Sequence, residues 1–404
     1  NPARLENGVV RTAPGFADGY RAIAEGGWVS TSAHPDHGGM GLPMTLTTAV
    51  NEMMSSACLA LQLAPLMTQG QIEALEHHAS AAIKDLYLPR LVSGDWTGTM
   101  NLTEPQAGSD VGALRTRAED RGDGTYAITG QKVYISWGDH DMTENVCHLV
   151  LARLPDGAPG TKGISLFLVP KFIPGADGTP GARNDLKVVS LEHKMGLHAS
   201  PTCVMQYDGA TGWLIGAPHQ GMRAMFTMMN NARLGVGGQG IGVAEAAYQH
   251  ALDFAQGRKQ GRTPDPDNPD TIIGHANVRR MLAAMKAEIF AARATALACA
   301  QAGLSSIVLD ALPDDAVLTA RADAHRPLPR EFLGEGACRF QLDRLAVDMQ
   351  HAVAHLDAVA GQADQAPDEI RAIGGMAEDD DIAAFGLGPK EARIVTIKKA
   401  AEIL

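Results

Sequence analysis

The residues best suited to chemistry lie in one short stretch, residues 100–110, which reads Met-Asn-Leu-Thr-Glu-Pro-Gln-Ala-Gly-Ser-Asp. Apolar residues lead into Thr103, a proline follows, and small polar residues end the stretch. Such a turn can bring backbone N–H groups and short hydroxyls against a flat polar ring, because no bulky side chain stands in the way. Composition alone favours an ordinary surface turn, whereas the order of the residues indicates a ligand site.

The bulk composition predicts a globular protein whose main partner is not nucleic acid. The chain has 404 residues, of which 45% are hydrophobic and 20% charged, and its formal net charge is -12. That length predicts two or three domains. The negative charge offers no basic field to neutralise phosphates, although a polyanionic small ligand would need only a few local cations.

Cysteine and histidine usage predicts neither a disulfide framework nor a metal site. The five cysteines are scattered, odd in number and show no CxxC spacing. A protein without a disulfide framework is typical of a reducing compartment, so we expect a cytoplasmic protein. No further ligand lies at helical spacing from both His77 and His78, so they are interpreted as ordinary helix residues. No run approaches the length of a membrane span. The chain opens at Asn1 without a methionine or a visible signal peptide, which suggests processing or a fragment.

Helical patterns flank a central region of strands. Residues 1–94 are predicted to be mainly helical, with helices over residues 45–63 and 71–88 and stop signals at Pro89 and at Ser93-Gly94. Residues 126–136 partly alternate around a predicted turn at Gly130. Further short strands are predicted over residues 148–153, 163–169 and 202–207, giving a small antiparallel sheet or barrel.

Helices return after the strands, over residues 222–255 and 275–299. Residues 235–240 satisfy GxGxxG, but no strand precedes them and both flanks are helical, so we reject a dinucleotide site. Close approach of two helices, or of a helix and a ligand, explains these glycines better. After about Gly303 the amino-acid composition changes, and the chain becomes rich in Ala, Asp, Arg and His. Residues 342–360 keep helical periodicity, and the acidic run at residues 378–381 is interpreted as a solvated loop.

The motif Thr-Glu-Pro-x-Ala-Gly-Ser-Asp at residues 103–110 closely resembles the flavin-contacting signature of the acyl-CoA dehydrogenase family. The resemblance extends over about residues 5–300. Residues 5–10, 94–100 and 278–282 resemble the branch that contains the 3-methylmercaptopropionyl-CoA dehydrogenases. The fold class implied is α+β, with FAD at the domain junction. The implied domains are an N-terminal helical domain at residues 1–94, truncated relative to the family, a central β-barrel domain at 95–212, a C-terminal helical domain at 213–303 and a divergent helical tail at 304–404.

The resemblance also implies roles for individual residues. Leu102 and Thr103 match positions that contact the flavin ring through backbone and hydroxyl, and Ser109 matches a residue near both the flavin and the CoA chain. Arg233 matches a helix arginine at the CoA end of the substrate. The remaining matches to cofactor-binding positions are Tyr134 and Ser136 beside the flavin, and Arg258, which in the family reaches the flavin pyrophosphate of a neighbouring subunit. The match at Arg258 implies a homodimer or homotetramer.

The implied reaction removes the α-proton of an acyl-CoA thioester and passes hydride from the β-carbon to the flavin. Its base should be a carboxylate whose proton affinity is raised by desolvation. The family's Tyr-Glu-Gly-Thr type of motif is absent from the chain. Aligning residues 392–397 with the family places Lys399 at the base position, and the alternative position is held by Ala232. Glu402 is a weak substitute, and residues 373–376 resemble a glycine pair near the flavin's adenine end.

Two explanations of the missing base remain open. A frameshift altered the tail after about Gly303, or the protein is a flavin- and CoA-binding relative that does not dehydrogenate. A third reading, an acyl-CoA oxidase, differs from a dehydrogenase in the access of oxygen to reduced flavin. For a dehydrogenase of fatty acid metabolism, the resemblance implies an electron-transferring flavoprotein as the partner.

Overall fold

The computed structural model describes residues 2–175 and 177–302. They form two compact units, one reaching Val243 and including Cys299 onward, the other covering Ala244–Ala298. The helices are α1 Phe16–Glu25, α2 Met44–His78, α3 Ala81–Ser93, α4 Gly221–Gly257 and α5 Ala276–Gln301. The strands are β1 Arg4–Glu6, β2 Val9–Arg11, β3 Trp96–Asn101, β4 Arg117–Asp120, β5 Tyr126–Ser136, β6 Asn145–Arg153, β7 Ile164–Pro170, β8 Phe172–Pro174, β9 Pro180–Arg183, β10 Leu186–Leu191 and β11 Thr202–Ile215.

The first helical region differs from the sequence prediction in where its helices break. The span α2 continues through the predicted gap and through Pro65, and its two helical stretches meet at a kink at Cys58, whose dihedrals are non-helical. Buried neighbours on both sides of Pro65 favour the helix, which offsets the hydrogen bond that proline cannot donate. The break lies instead before Ser80, whose Oγ accepts a hydrogen bond from the N–H of Ile83. The predicted stop at Gly94 is confirmed, since Gly94 has the left-handed φ of 81° that suits a helix C-terminus.

The N-terminus contains a short hairpin that the helical prediction did not include. Strands β1 and β2 pair antiparallel across the turn at Asn7 and Gly8, both of which have positive φ. Val10 is fully buried and belongs to the apolar cluster of the central sheet, with Leu5 packed against it. The hairpin therefore belongs, in its packing, with the strands.

The central strands close into a barrel. Strand β11 pairs with β5, β7 and β10, and β6 pairs with β3, β4 and β7, so the pairings β11-β5-β4-β6-β7 return to β11. Most pairings are antiparallel, but β3 runs parallel to β6. The predicted strands at residues 148–153, 163–169 and 202–207 are confirmed as parts of β6, β7 and β11.

The predicted turn at Gly130 is wrong, because β5 runs unbroken through that position. A Cβ atom at Gly130 would lie 2.8 Å from the Cα of Thr116. The glycine thus permits a close approach of the chain at Thr116 rather than a reversal. The chain reverses earlier, between β4 and β5, where Arg121 donates its N–H to the carbonyl of Thr125.

Strand β3 has two contrasting faces. Trp96 packs edge-on against Tyr87 of α3, with 5.6 Å between ring centroids, and Gly98 lies against Gln71 of α2. The alternate residues point into the barrel and are buried and polar: Thr97 bonds to His140, Thr99 to His148, and Asn101 accepts a hydrogen bond from Tyr207. The hydrogen bonds of Asn101, the last residue of β3, fix the point at which the motif loop, residues 102–110, begins.

The GxGxxG sequence lies inside α4, more than three turns from its start, which confirms that it is not a dinucleotide-binding turn. A side chain at Gly235 would collide with Leu66 of α2, and a Cβ atom at Gly242 would lie 2.6 Å from the carbonyl oxygen of Glu52. These glycines let α4 approach α2 closely. The predicted helices over residues 222–255 and 275–299 are confirmed as α4 and α5.

In the described part of the chain, no helix has both the length and the apolar character needed to cross a membrane. The same residues contain no group of three or more side chains arranged to hold a metal ion. His78 lies 2.8 Å from the hydroxyl of Thr227. The predictions for residues 342–360, 373–376, 378–381 and 392–397, and those for Lys399 and Glu402, fall outside the described residues.

Candidate functional site

The motif loop after β3 folds back on itself at its proline. The N–H of Glu104 donates to the carbonyl of Ala107, and the N–H of Ala107 donates to the carbonyl of Glu104, both at 3.0 Å. Pro105 and Gln106 form the exposed tip of this turn. The turn places the Glu104 side chain inside the fold, where it is 4% exposed.

The carboxylate of Glu104 is satisfied on both oxygens. Oε2 accepts from the amide of Gln106 at 2.6 Å and from the N–H of Arg115 at 2.7 Å. Oε1 accepts from the N–H and the hydroxyl of Thr116 at 3.0 and 2.5 Å, and from Nζ of Lys132 at 2.9 Å. Burial alone would raise the pKa of Glu104, but Lys132 and these donors lower it to about 2. The group is a permanent anion at neutral pH.

Lys132 connects that anion to the start of the motif. It is 0% exposed, and besides Glu104 its Nζ donates to the carbonyl oxygen of Leu102 at 3.0 Å. Burial lowers the pKa of Lys132 to about 8, and Glu104 opposes the shift. The next residue on β5 completes the connection, because the N–H of Val133 donates to the carbonyl of Thr103 at 2.9 Å.

Tyr134 lies in a bulge of β5. Met205 pairs with Lys132 and Cys203 with Ile135, so two residues of β5 face one residue of β11. Tyr134 has a left-handed φ of 61° and its side chain is 65% exposed. The bulge thus turns an aromatic ring outward directly after the residues that bind the motif loop. A tyrosine in this conformation is uncommon and costs free energy, which is typical of a site with a function.

The structure therefore brings three of the predicted cofactor residues together: Leu102, Thr103 and Tyr134. Ser136 lies two residues beyond Tyr134 and pairs with Thr202 of β11. Ser109 is exposed on the motif loop, past the turn. Within the described residues, the hydroxyls of Thr103, Ser109, Tyr134 and Ser136 make no hydrogen bond, so the fold does not use these groups for its own stability.

Arg233 is placed on α4 and is exposed. Its guanidinium donates to the side chain of Asn230 at 2.8 Å and lies 5.5 Å from the ring centroid of Phe226, both on the same helix. The preceding Ala232 is buried in the main apolar cluster. Among the described residues, no carboxylate forms an ion pair with this arginine.

A carboxyl group that the sequence analysis did not single out lies near this turn of α4. Glu73 of α2 accepts a hydrogen bond from the amide of Asn231 at 2.7 Å. Burial raises the pKa of Glu73, while Asn231 opposes the shift. A buried carboxyl group with a raised pKa, as expected of the base, is thus present on α2. Its carboxylate, however, accepts a hydrogen bond from an asparagine of α4.

Arg258 follows the last residue of α4, in the second compact unit. Its backbone is held at both ends, by an N–H bond to the carbonyl of Phe254 and by the N–H of Ile272 on its own carbonyl. The side chain is exposed and makes no hydrogen bond or ion pair with a described residue. Its neighbour Lys259 pairs with Asp270 at 2.9 Å.

Comparison with known proteins gives the same architecture in the same order. Three domain descriptions of one family match: acyl-CoA dehydrogenase N-terminal domain at residues 8–95, middle domain at 99–210 and C-terminal domain at 219–307. A 3-methylmercaptopropionyl-CoA dehydrogenase of Ruegeria pomeroyi is 50% identical over 298 residues, which are 73% of this chain and 51% of that protein. The chain spans about half the length of this relative and of a butyryl-CoA dehydrogenase of Syntrophomonas wolfei that it also matches.

Two further relatives are matched over more of their length. A glutaryl-CoA dehydrogenase of Desulfococcus multivorans is 30% identical over 71% of this chain and 69% of its own. The solved structure of butyryl-CoA dehydrogenase from Megasphaera elsdenii superimposes with a TM-score of 0.60 at 25% identity, covering 70% of each chain. The protein belongs to the acyl-CoA dehydrogenase family.

Proposed function

We propose that the protein binds FAD and oxidises an acyl-CoA thioester to the trans-2-enoyl-CoA. The observation that carries the proposal is the junction of the motif loop and β5. There, bonds from Lys132 and Val133 to the carbonyls of Leu102 and Thr103 hold the loop beside an outward-facing Tyr134. Membership of the family and the 50% identity to a 3-methylmercaptopropionyl-CoA dehydrogenase support the same activity.

The residues at this junction fit a flavin ring. Tyr134 offers an exposed aromatic surface, and the hydroxyls of Thr103 and Ser136 are not used by any described residue. A flat heterocycle with polar edges needs both an apolar face and short donors around it. When bound, FAD supplies the acceptor for the hydride of the substrate's β-carbon. The chain's own residues bind and orient the ring.

Proton removal requires a carboxylate at a position that the family matches do not assign. Ala232 has no proton-accepting group, and Glu73 is bound by Asn231. This observation favours a second candidate function, a flavin- and CoA-binding protein that does not dehydrogenate. An acyl-CoA oxidase is the third, and it would release hydrogen peroxide in air.

The family resemblance also suggests a substrate, an electron-transfer partner and an assembly for this protein. We infer that 3-methylmercaptopropionyl-CoA is a substrate, with Ser109 and Arg233 on its CoA portion. Electrons leave through an electron-transferring flavoprotein. Arg258 binds the flavin pyrophosphate of a neighbouring subunit, since a guanidinium can donate two parallel hydrogen bonds to phosphate oxygens. The assembly is a homodimer or homotetramer, and the protein acts in the cytoplasm.

The test is an anaerobic titration of the full chain. After purification and addition of FAD, the visible spectrum is recorded before and after 3-methylmercaptopropionyl-CoA and short- and medium-chain acyl-CoAs. We expect a flavin spectrum that bleaches with substrate. Thr103→Val removes the hydroxyl with little change of shape, so it should shift the flavin absorption bands while leaving the far-UV circular dichroism unchanged.

Each other result has a definite meaning. A flavin spectrum that does not bleach supports the non-dehydrogenating protein, and peroxide formation in air supports the oxidase. Failure of the chain to take up FAD overturns the proposed function. A Thr103→Val spectrum identical to that of the wild type would remove Thr103 from the flavin site.

A further inference from the structure

Two charged side chains lie inside the fold where the motif loop meets β5. The distance from Nζ of Lys132 to Oε1 of Glu104 is 2.9 Å, and the side chains are 0% and 4% exposed. We propose that this ion pair is the positioning element of the flavin site, and that Lys132 tunes the bound flavin through the peptide group between Leu102 and Thr103. The inference rests on the proposed function and assigns neither charged group a contact with cofactor or substrate.

Glu104 holds the shape of the motif loop. Its carboxylate binds the loop tip at Gln106, the backbone of Arg115 and Thr116 beyond the loop, and Lys132 on β5. A buried anion with this many donors has one low-energy position, since any displacement leaves a polar group unpaired in a low-dielectric interior. The loop is therefore fixed before any ligand binds.

Lys132 connects the ion pair to the backbone atoms that we propose to contact the flavin. Its Nζ donates to the carbonyl oxygen of Leu102 at 3.0 Å. That carbonyl and the N–H of Thr103 belong to the same planar peptide group. A cation bonded to the oxygen polarises the group, which makes the N–H a stronger donor. The N–H of Thr103 has no partner among the described residues and thus remains available to a ligand.

A stronger donor against the flavin ring favours the reduced flavin, which carries more negative charge than the oxidised ring. The bond from the N–H of Val133 to the carbonyl of Thr103, in the next peptide group along the chain, keeps Thr103 in register with β5. Loss of the Lys132 charge should therefore lower the flavin reduction potential. A role limited to folding would change stability but leave the potential of the folded holoprotein unchanged.

The same sheet region supplies a matched control. Asp139 and Lys171 form a second buried ion pair, with 2.6 Å from Nζ to Oδ1 and side chains 3% and 11% exposed. Lys171 also donates to the carbonyl of His140. No bond joins this pair to Leu102 or Thr103 within the described residues. It resembles the first pair in burial and charge but not in its link to the motif loop.

The experiment measures the two-electron midpoint potential of the FAD-loaded full chain by anaerobic dye equilibration. Lys132→Met should lower the potential by about 30 mV, which corresponds to a tenfold shift in the redox equilibrium. The double variant Glu104→Gln/Lys132→Met leaves no buried charge unpaired, so it should fold better than the single variant. Its potential should nevertheless stay lowered, because the carbonyl of Leu102 still lacks its cation. Lys171→Met should keep the wild-type potential.

The outcomes separate the possible failures. A lowered potential in both Lys132 variants, with an unchanged value in Lys171→Met, supports the inference. A wild-type potential in either the folded single variant or the double variant overturns it, as does an equal shift in Lys171→Met. A wild-type chain that takes up no FAD overturns the proposed function, and the inference with it.

Discussion

The sheet part and the helical part of the proposed site are held in different ways. In the sheet part, Leu102 and Thr103 are fixed by bonds from β5, and those bonds depend on a fully buried ion pair. In the helical parts, the hydrogen bond and ring contact of Arg233 with described residues lie within its own helix, and the side chain of Arg258 makes no hydrogen bond or ion pair with a described residue. The sheet part is thus held by bonds between elements, whereas the helical part carries exposed cations.

The ligand groups that we propose for each part account for this difference. A flavin ring is rigid, and donors aimed at it gain most when they need no reorganisation. Phosphates are flexible, highly charged and solvated, and an exposed arginine can reach them at a cost in side-chain entropy alone. The comparison predicts that changes in the sheet part act on both folding and cofactor, whereas changes at Arg258 act on the cofactor alone.

The largest effect is expected from breaking the buried pair on one side. Glu104→Ala leaves the ammonium of Lys132 without its anion, which should lower the free energy of unfolding by about 3–5 kcal/mol. The matched control is Glu119→Ala, because Glu119 pairs with Arg117 at 3.0 Å but the side chains are 61% and 63% exposed. That change should cost less than about 1 kcal/mol. Urea denaturation followed by circular dichroism measures both, and similar losses would show that burial of the first pair contributes nothing special.

The acid dependence of stability should sharpen the same point. The pKa of Glu104 in the folded protein, about 2, lies below its ordinary value, since Lys132 and the surrounding donors outweigh burial. The ionised group thus stabilises the fold above about pH 4.3, and this contribution is lost as the pH falls toward 2.

Glu104→Gln has no such contribution, so its deficit relative to the wild type should shrink by about 2–3 kcal/mol between pH 6 and pH 2.5. Unfolding free energies in urea at both pH values test the prediction. Glu119→Gln is the control and should show little change over the range, because water screens its pair. A constant deficit for Glu104→Gln would mean that the pKa of Glu104 in the folded protein equals its ordinary value, so that Lys132 and the surrounding donors do not favour the ionised carboxylate.

Most of the architecture could be predicted from local sequence, and the candidate contact residues follow from the resemblance of the motif to the family signature. The helical periodicities gave α4 and α5 almost to their ends, and the motif itself indicated Leu102 and Thr103. The predictions failed where local patterns compete with packing. The predicted gap between residues 63 and 71 is helical, and the predicted turn at Gly130 lies inside a continuous strand.

The residues that hold the site were harder to predict than the residues that line it. Glu104 and Lys132 are separated by 28 positions, and only the barrel's strand pairing brings them together. One observation could have revealed the lysine, because it is in phase with the buried Ile128 along β5. The bulge at Tyr134 then reverses that phase, and a single extra residue in a strand leaves no clear periodic pattern in the sequence.

The smallest expected effect on folding, and the clearest on the cofactor, belongs to the helical part. Arg258→Ala removes an exposed side chain that makes no hydrogen bond or ion pair with a described residue, so the free energy of unfolding of the apoprotein should change by less than about 0.5 kcal/mol. If Arg258 binds the flavin pyrophosphate, the dissociation constant for FAD should rise about tenfold or more, through loss of a charge-assisted contact. Fluorescence titration with FAD measures the constant.

Two further variants decide what kind of contact Arg258 makes. Arg258→Lys keeps the charge but cannot donate two parallel hydrogen bonds, so its FAD affinity should fall between those of the wild type and Arg258→Ala. Lys259→Ala removes a neighbouring charge that is paired with Asp270 and should leave the affinity nearly unchanged. Equal losses in Arg258→Ala and Lys259→Ala would show that only the net charge of the segment matters. An affinity that Arg258→Ala does not alter would place Arg258 outside the cofactor site. The comparison of a sheet part held by buried bonds with a helical part that carries exposed cations would then rest on Arg233 alone.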